Sequence, residues 1–130
     1  MKPSSAKAKG RRLQQYVADA VRSVLRLHAP DVQPAIMGES GMDIKLSMEA
    51  RRHFPYATEC KNVQRLNVWA ALKQCEENAK DGLSPLLVFS RNRDGVYCVV
   101  TLEHLLELRR ELADLRALND CETAARGKVW

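Results

Sequence analysis

The chain has 130 residues, of which 45% are apolar and 28% charged, and its formal net charge is +5. That length suits a single domain with one modest core, and no apolar run approaches the roughly 20 residues that a bilayer span requires. The N-terminus lacks the apolar stretch of a secretory signal, so a soluble, cytoplasmic protein without a membrane segment is expected.

In chain order, residues 1–9 read as a flexible basic arm. Lys2, Lys7, Lys9, Arg11 and Arg12 all precede the first acid, and this head alone equals the net excess. Such asymmetry is the footprint of a polyanion partner, or else a solvated tail. From Gly10 the pattern changes. Leu13, Tyr16, Val17, Ala20, Val21, Val24 and Leu25 recur at steps of three and four, which predicts a helix ending near His28, ahead of Pro30.

Residues 35–37 read as a short strand ended by Gly38. Met42, Ile44, Leu46 and Met48 then alternate with Asp43, Lys45 and Ser47, a period of two that marks a strand with one buried face. Residues 49–55 form a charged connection, and residues 56–61 a returning strand, so that the two strands make a hairpin. On the second strand Glu59 and Lys61 share one face while Thr58 and Cys60 share the other.

A second helix is expected from about Asn67 to Lys80, with Trp69, Leu72, Cys75, Glu76 and Ala79 at helical steps and Gly82 as its stop. Residues 86–90 and 96–100 are short strands joined through an Asp94-Gly95 turn. Thr101 is an N-cap for a third helix, leucine-rich and running to about Leu118. That helix covers the sheet or forms a dimer contact. Cys60, Cys75, Cys98 and Cys121 include no closely spaced pair and read as small buried side chains. The order predicts an α/β fold, a mixed central sheet flanked by helices, occupying residues 10–118 with a tail over 119–130.

If the hairpin register matches, Asp43, Glu59 and Lys61 converge on the polar face. Two carboxyls held close repel unless a cation neutralises them, and Mg²⁺ with oxygen ligands does so. A lysine beside them would orient or deprotonate a water, or stabilise charge at phosphorus. Equally, an Asp, a Glu and a Lys on one strand face are ordinary wet-surface residues. His28, His53 and His104 are scattered, and the glycines form no phosphate loop or dinucleotide fingerprint.

Residues 41–44 (Gly-Met-Asp-Ile), the Glu59-Cys60-Lys61 strand, the helix bearing Gln74 and the strand pair after it resemble the PD-(D/E)xK nuclease superfamily. Within it the chain is most similar to archaeal and phage Holliday-junction resolvases, over about residues 9–108 and including a Lys9-Gly10 opening. The resemblance implies a restriction-endonuclease-like fold of order αβββαββα and a prokaryotic or phage-infected cell as its setting. It implies an Mg²⁺-dependent endodeoxyribonuclease for branched DNA, acting in recombination, with Mn²⁺ able to substitute. Asp43, Glu59 and the backbone carbonyl of Cys60 would be metal ligands, Lys61 the catalytic lysine, and Gln74 a supporting residue.

The chain departs from the pattern at Gln14, where many resolvases carry a first-helix glutamate, and at Met42, which replaces a proline. Glu39 would supply the missing carboxylate and Ser40 would touch a phosphate, unless both are merely turn formers. Lys9, Arg11, Arg12, Ser40, Arg51, Arg52 and Arg65 are the expected DNA contacts. A homodimer is implied for a symmetric junction, with Phe54, Trp69 or the third helix as its contacts. Two alternatives stand beside this reading. One is a nuclease of the same chemistry for a nicked, flapped or restriction-type substrate, the other a DNA-binding recombination accessory protein.

Overall fold

The computed structural model describes residues 3–36, 39 and 41–127. Ser40, Lys2 and most of the Gly38 turn therefore lie outside the described residues, as does part of the strand expected over 35–37. The chain is mixed α/β, with a small mixed sheet and helices, and it divides into two units at Val99 and Val100.

Helix α1 (Pro3–Leu25) takes in most of the residues expected to form a free arm. Its buried face is Leu13, Val17 and Ala18, which pack toward strands β1 (Val32–Pro34) and β3 (Tyr56–Asn62), while Tyr16 and Val24 of the expected stripe are exposed. The helix ends before Pro30 is reached. Arg26 adopts φ 54° and Leu27 N–H donates to Arg22 O at 2.9 Å, the closing bond of a left-handed helix cap.

Strand β1 pairs antiparallel with β2 (Ile44–Leu46), placing Gln33 opposite Lys45. The expected hairpin between the Asp43 strand and the Glu59 strand does not form. Between them stands a short helix, α2 (Met48–His53), where a charged connection was predicted. Ser47 starts it: its Oγ accepts from Ala50 N–H at 3.0 Å and donates to Asp31 Oδ1 at 2.6 Å, tying the cap to the turn before β1. Met48, expected on the buried strand face, is exposed at the start of this helix.

Strand β3 instead pairs in parallel with β4 (Ser84–Ser90), in the register Glu59↔Leu87 and Lys61↔Phe89. The crossover helix is α3 (Val68–Asn78), capped by Asn67. Strand β5 (Tyr97–Val99) returns antiparallel to β4, and the hairpin turns through Arg93 at φ 64°. Ladder partners share a face, so Thr58 and Cys60 lie with Leu86 and Val88, and Glu59 and Lys61 lie with Leu87 and Phe89.

Helix α3 covers the second of these faces with small residues. Ala71 and Cys75 are buried against Leu87, with Leu66, Leu72, Phe89 and Val99 around them. Trp69, predicted for the apolar stripe, is 83% exposed. A helix that meets the sheet through Ala and Cys approaches it closely, and bulky Trp69 faces away.

The second unit is α4 (Leu102–Arg126), which continues beyond Leu118. Thr101 caps it as expected, its Oγ1 accepting from His104 N–H at 3.1 Å. The helix has no buried residue; Leu102, Leu105, Leu106, Leu108, Leu115 and Leu118 are exposed. All four cysteines are free, with Cys60 and Cys75 buried as predicted but Cys98 and Cys121 exposed.

Leu87 is fully buried at the centre of the cluster under α3. Leu87→Ala is expected to cost about 2–5 kcal/mol in urea unfolding. A loss below about 1 kcal/mol would mean that this cluster is not the core.

Candidate active site

Strand β3 has β4 on one edge. On the other edge a single residue, Asp43, stands in for a partner strand. Its N–H donates to Thr58 O at 2.9 Å, and its Oδ2 accepts from Cys60 N–H at 2.7 Å. Two backbone groups of β3 that a neighbouring strand would satisfy are thus satisfied by one aspartate, half through its backbone and half through its carboxylate. Asp43 N–H being so engaged, its own carbonyl accepts from Ala35 N–H at 2.8 Å and carries the connection back toward β1.

This placement brings Asp43 to Glu59. The glutamate is 1% exposed, so the alternative of an ordinary wet sheet face does not hold for it. Burial raises its carboxyl to about 7, and repulsion from Asp43 adds to the effect. A side-chain hydrogen bond with Asp43 also raises it, while the hydrogen bond from Asn78 and the positive charge of Lys61 oppose the shift. Lys61 is half-buried two residues further along the same face. The structure therefore assembles Asp43, Glu59 and Lys61, although by a route other than the predicted hairpin.

The helix residue that supports the pair is not Gln74. Gln74 is exposed, whereas Asn78 donates from Nδ2 to Glu59 Oε1 at 2.7 Å and reaches Gly41 O at 3.4 Å. Asn78 was missed in the sequence. The signal was present: Ala71, Cys75 and Asn78 fall at steps of four and three on one helical face, and an asparagine on a buried face requires a polar partner.

Cys60 points its side chain into the core, where burial raises its thiol strongly. Cys75 rises to about 11, chiefly by burial, with the nearby Glu59 charge contributing. Both thiols stay protonated and unreactive at neutral pH. Thr58, fully buried on the Cys60 face, leaves its hydroxyl oxygen without a partner.

A cleft of about 280 Å³ opens over Asp43, and Lys7, Arg11, Gln14, Ile36 and Glu39 are among its walls. Residues 7, 11 and 14 of α1 are at steps of four and three, so Lys7, Arg11 and Gln14 share one helical face beside the aspartate. Glu39 is held by Lys45 at 2.8 Å, and that bond pulls its carboxyl below the usual range. Arg12 is exposed and Lys9 half-buried on α1, Arg52 pairs with Glu49 at 3.8 Å, and Arg65 is exposed. Arg51 approaches Asp81 at 3.9 Å and, with Asn78 and Lys80, borders a second recess of about 240 Å³. Among the described residues, no three side chains of His, Cys, Asp or Glu converge as a ready-made metal cluster.

Comparison with protein-family models, curated proteins and solved structures finds no match.

Glu59 binds its proton more tightly when folded than its ordinary value of 4.5 allows. Between pH 4.5 and about 7 the folded state therefore holds more protons than the unfolded one, and stability falls as pH rises through that window. Glu59→Gln has no proton to lose. It is expected to gain on the native chain by up to about 3 kcal/mol between pH 4.5 and 8. Urea melts of the two proteins that stay parallel across this range would refute the shift.

Proposed function

We propose that the chain is a metal-dependent endodeoxyribonuclease of the PD-(D/E)xK type, acting on branched DNA in the manner of a Holliday-junction resolvase. The observation that carries this reading is the pair of bonds by which Asp43 docks on β3. They set its carboxyl against Glu59, with Lys61 two residues on along the same face. The order of elements supports it as well: helix, strand pair, Glu-x-Lys strand, crossover helix, strand pair, helix, with α2 added between the second and third strands.

The donor set fits a hard divalent cation. Two carboxyls are set together, Glu59 buried and Asp43 bordering the cleft, and oxygen is the ligand type Mg²⁺ and Mn²⁺ take. Asp43 and Glu59 would hold the ion. The Cys60 carbonyl would join them, since Thr58 O and Cys60 N–H already face Asp43 and the strand alternation turns the Cys60 carbonyl to that same edge. Gln14 offers an amide oxygen from the far wall of the cleft, without the charge of a glutamate. When bound, such an ion polarises a phosphoryl oxygen and acidifies a water.

The chain's own residues do the rest. Lys61 brings a cation and a proton donor to the phosphate that is cut, where it steadies negative charge and orients the attacking water. Asn78 fixes the Glu59 carboxyl by donating to it, which favours the ionised form. Lys7 and Arg11 draw the DNA backbone over Asp43, and Arg51, Arg52 and Arg65 extend the positive surface beyond the cleft. The absence of any base-reading motif suits recognition of DNA shape. A second copy of the chain would give the two sites that a symmetric junction needs, and the exposed leucines of α4 are the surface for that pairing.

The accessory-protein reading is favoured by one observation: Gln14 occupies the wall where a third carboxylate would complete the donors.

With Mg²⁺, cleavage of a four-way junction is expected to exceed that of flap and linear duplex substrates. Lys61→Ala should lower cleavage at least a hundredfold while leaving junction affinity within about threefold. Undiminished cleavage by that variant would sink the assignment of Lys61, and a preference for plain duplex would remove the resolvase label. Asn78→Ala is expected to lower the rate about tenfold, and Gln74→Ala to leave it unchanged. The reverse order would restore Gln74 to the site.

A further inference from the structure

Beyond Lys61 the parallel strands β3 and β4 end side by side at Asn62 and Ser90, and a recess of about 320 Å³ opens there. Its floor is apolar: Val63, Leu66, Phe89 and Tyr97. Its rim carries Arg91 and Asp94, which are paired with each other. The rings of Phe89 and Tyr97 lie 6.0 Å apart between centroids and are tilted by only 27°. Tyr97 is nevertheless 63% exposed, so the pair leaves an aromatic face open to solvent.

The walls are held in place. Asp94 N–H donates to Arg91 O at 3.1 Å, and Ser90 Oγ donates to Gly95 O at 3.1 Å, which closes the β4–β5 turn over the recess. Arg65 and Arg93, chain neighbours of the lining residues Leu66 and Asp94, are exposed. An exposed aromatic ring with an arginine at its rim, at the carboxyl end of parallel strands, is a combination suited to single-stranded nucleic acid: the ring stacks a base, and Arg91 can exchange Asp94 for a phosphate.

The recess also lies where it matters. Phe89 is the ladder partner of Lys61, and Val63 is two residues past it, about 7 Å along the strand. The nucleotide next to a phosphate held at Lys61 can therefore reach the floor. We propose that this recess receives a nucleobase released from its partner at the branch point, on the junction strand that is cut, stacked on Tyr97, so that the enzyme favours junctions whose branch-point pairs open. The inference rests on the nuclease reading given above and names its substrate more closely.

The test uses the full chain in EDTA, so that binding is read without cleavage. The probes are a junction with 2-aminopurine at the branch point, a single-stranded oligonucleotide carrying the same base, and a blunt duplex as control. The fluorophore is expected to be quenched on binding. Tyr97→Ala should abolish the quench and weaken single-strand binding about tenfold or more, Tyr97→Phe should preserve both, and duplex affinity should stay within about twofold in each variant. Arg91→Ala, which leaves the ring in place, should weaken binding while keeping the quench. Circular dichroism melts check that the variants fold. If the native chain binds DNA in EDTA without any quench and cuts it once Mg²⁺ is added, or Tyr97→Ala weakens duplex and single strand alike, the base recess is refuted and the nuclease reading stands. If no DNA form binds at all, both fall.

Discussion

Everything at the centre of this protein depends on the docking of Asp43 against the free edge of β3. A strand edge without a neighbour exposes donors and acceptors that must find partners. Here one residue supplies both, a backbone N–H for Thr58 and a carboxylate for Cys60 N–H. The same two bonds that complete the strand also fix where the aspartate's charge lies. Loss of the carboxylate would leave the Cys60 N–H without the partner that Asp43 supplies, so the strand edge and the position of the charge depend on one side chain.

Glu59 is the second consequence. Its strand is paired on one edge, roofed by α3 and closed by Asp43, so its carboxyl is buried next to a like charge. An isolated carboxylate in such a place would simply stay protonated. Asn78 donates to it and Lys61 attracts it, and the two together hold it near the balance between charged and neutral forms. A group so balanced responds to a cation or a phosphate arriving nearby, which a fully solvated glutamate would not do.

Much of this was legible in the residues, and the misses have definite causes. Alternation correctly placed Glu59 and Lys61 on one face and Cys60 on the other, because side-chain direction is a local property of a strand. Which strand pairs with which is not local. Residues 42–48 and 56–61 suggested a hairpin, whereas β2 turned to β1 and β3 to β4. Helix α2 is too short to display an apolar period, and only the Ser47 cap announced it. On α3 the apolar residues misled: Trp69 is outside, and the small residues Ala71 and Cys75 mark the face that approaches the sheet. Once that face is known, Asn78 and not Gln74 is the polar residue at its end. Pro30 drew attention as the stop of α1, but Arg26 in the left-handed conformation ends the helix first.

Cys60 sits between two charged positions and yet takes part only through its backbone. Its N–H is held by Asp43 and its side chain belongs to the core on the opposite face. The bond to Asp43 at this point of the chain is thus indifferent to which side chain is present, and the core asks only for something small and apolar. Alanine and valine should be interchangeable with cysteine there over generations of drift, so the middle letter of the Glu-Cys-Lys triplet is a record of packing alone.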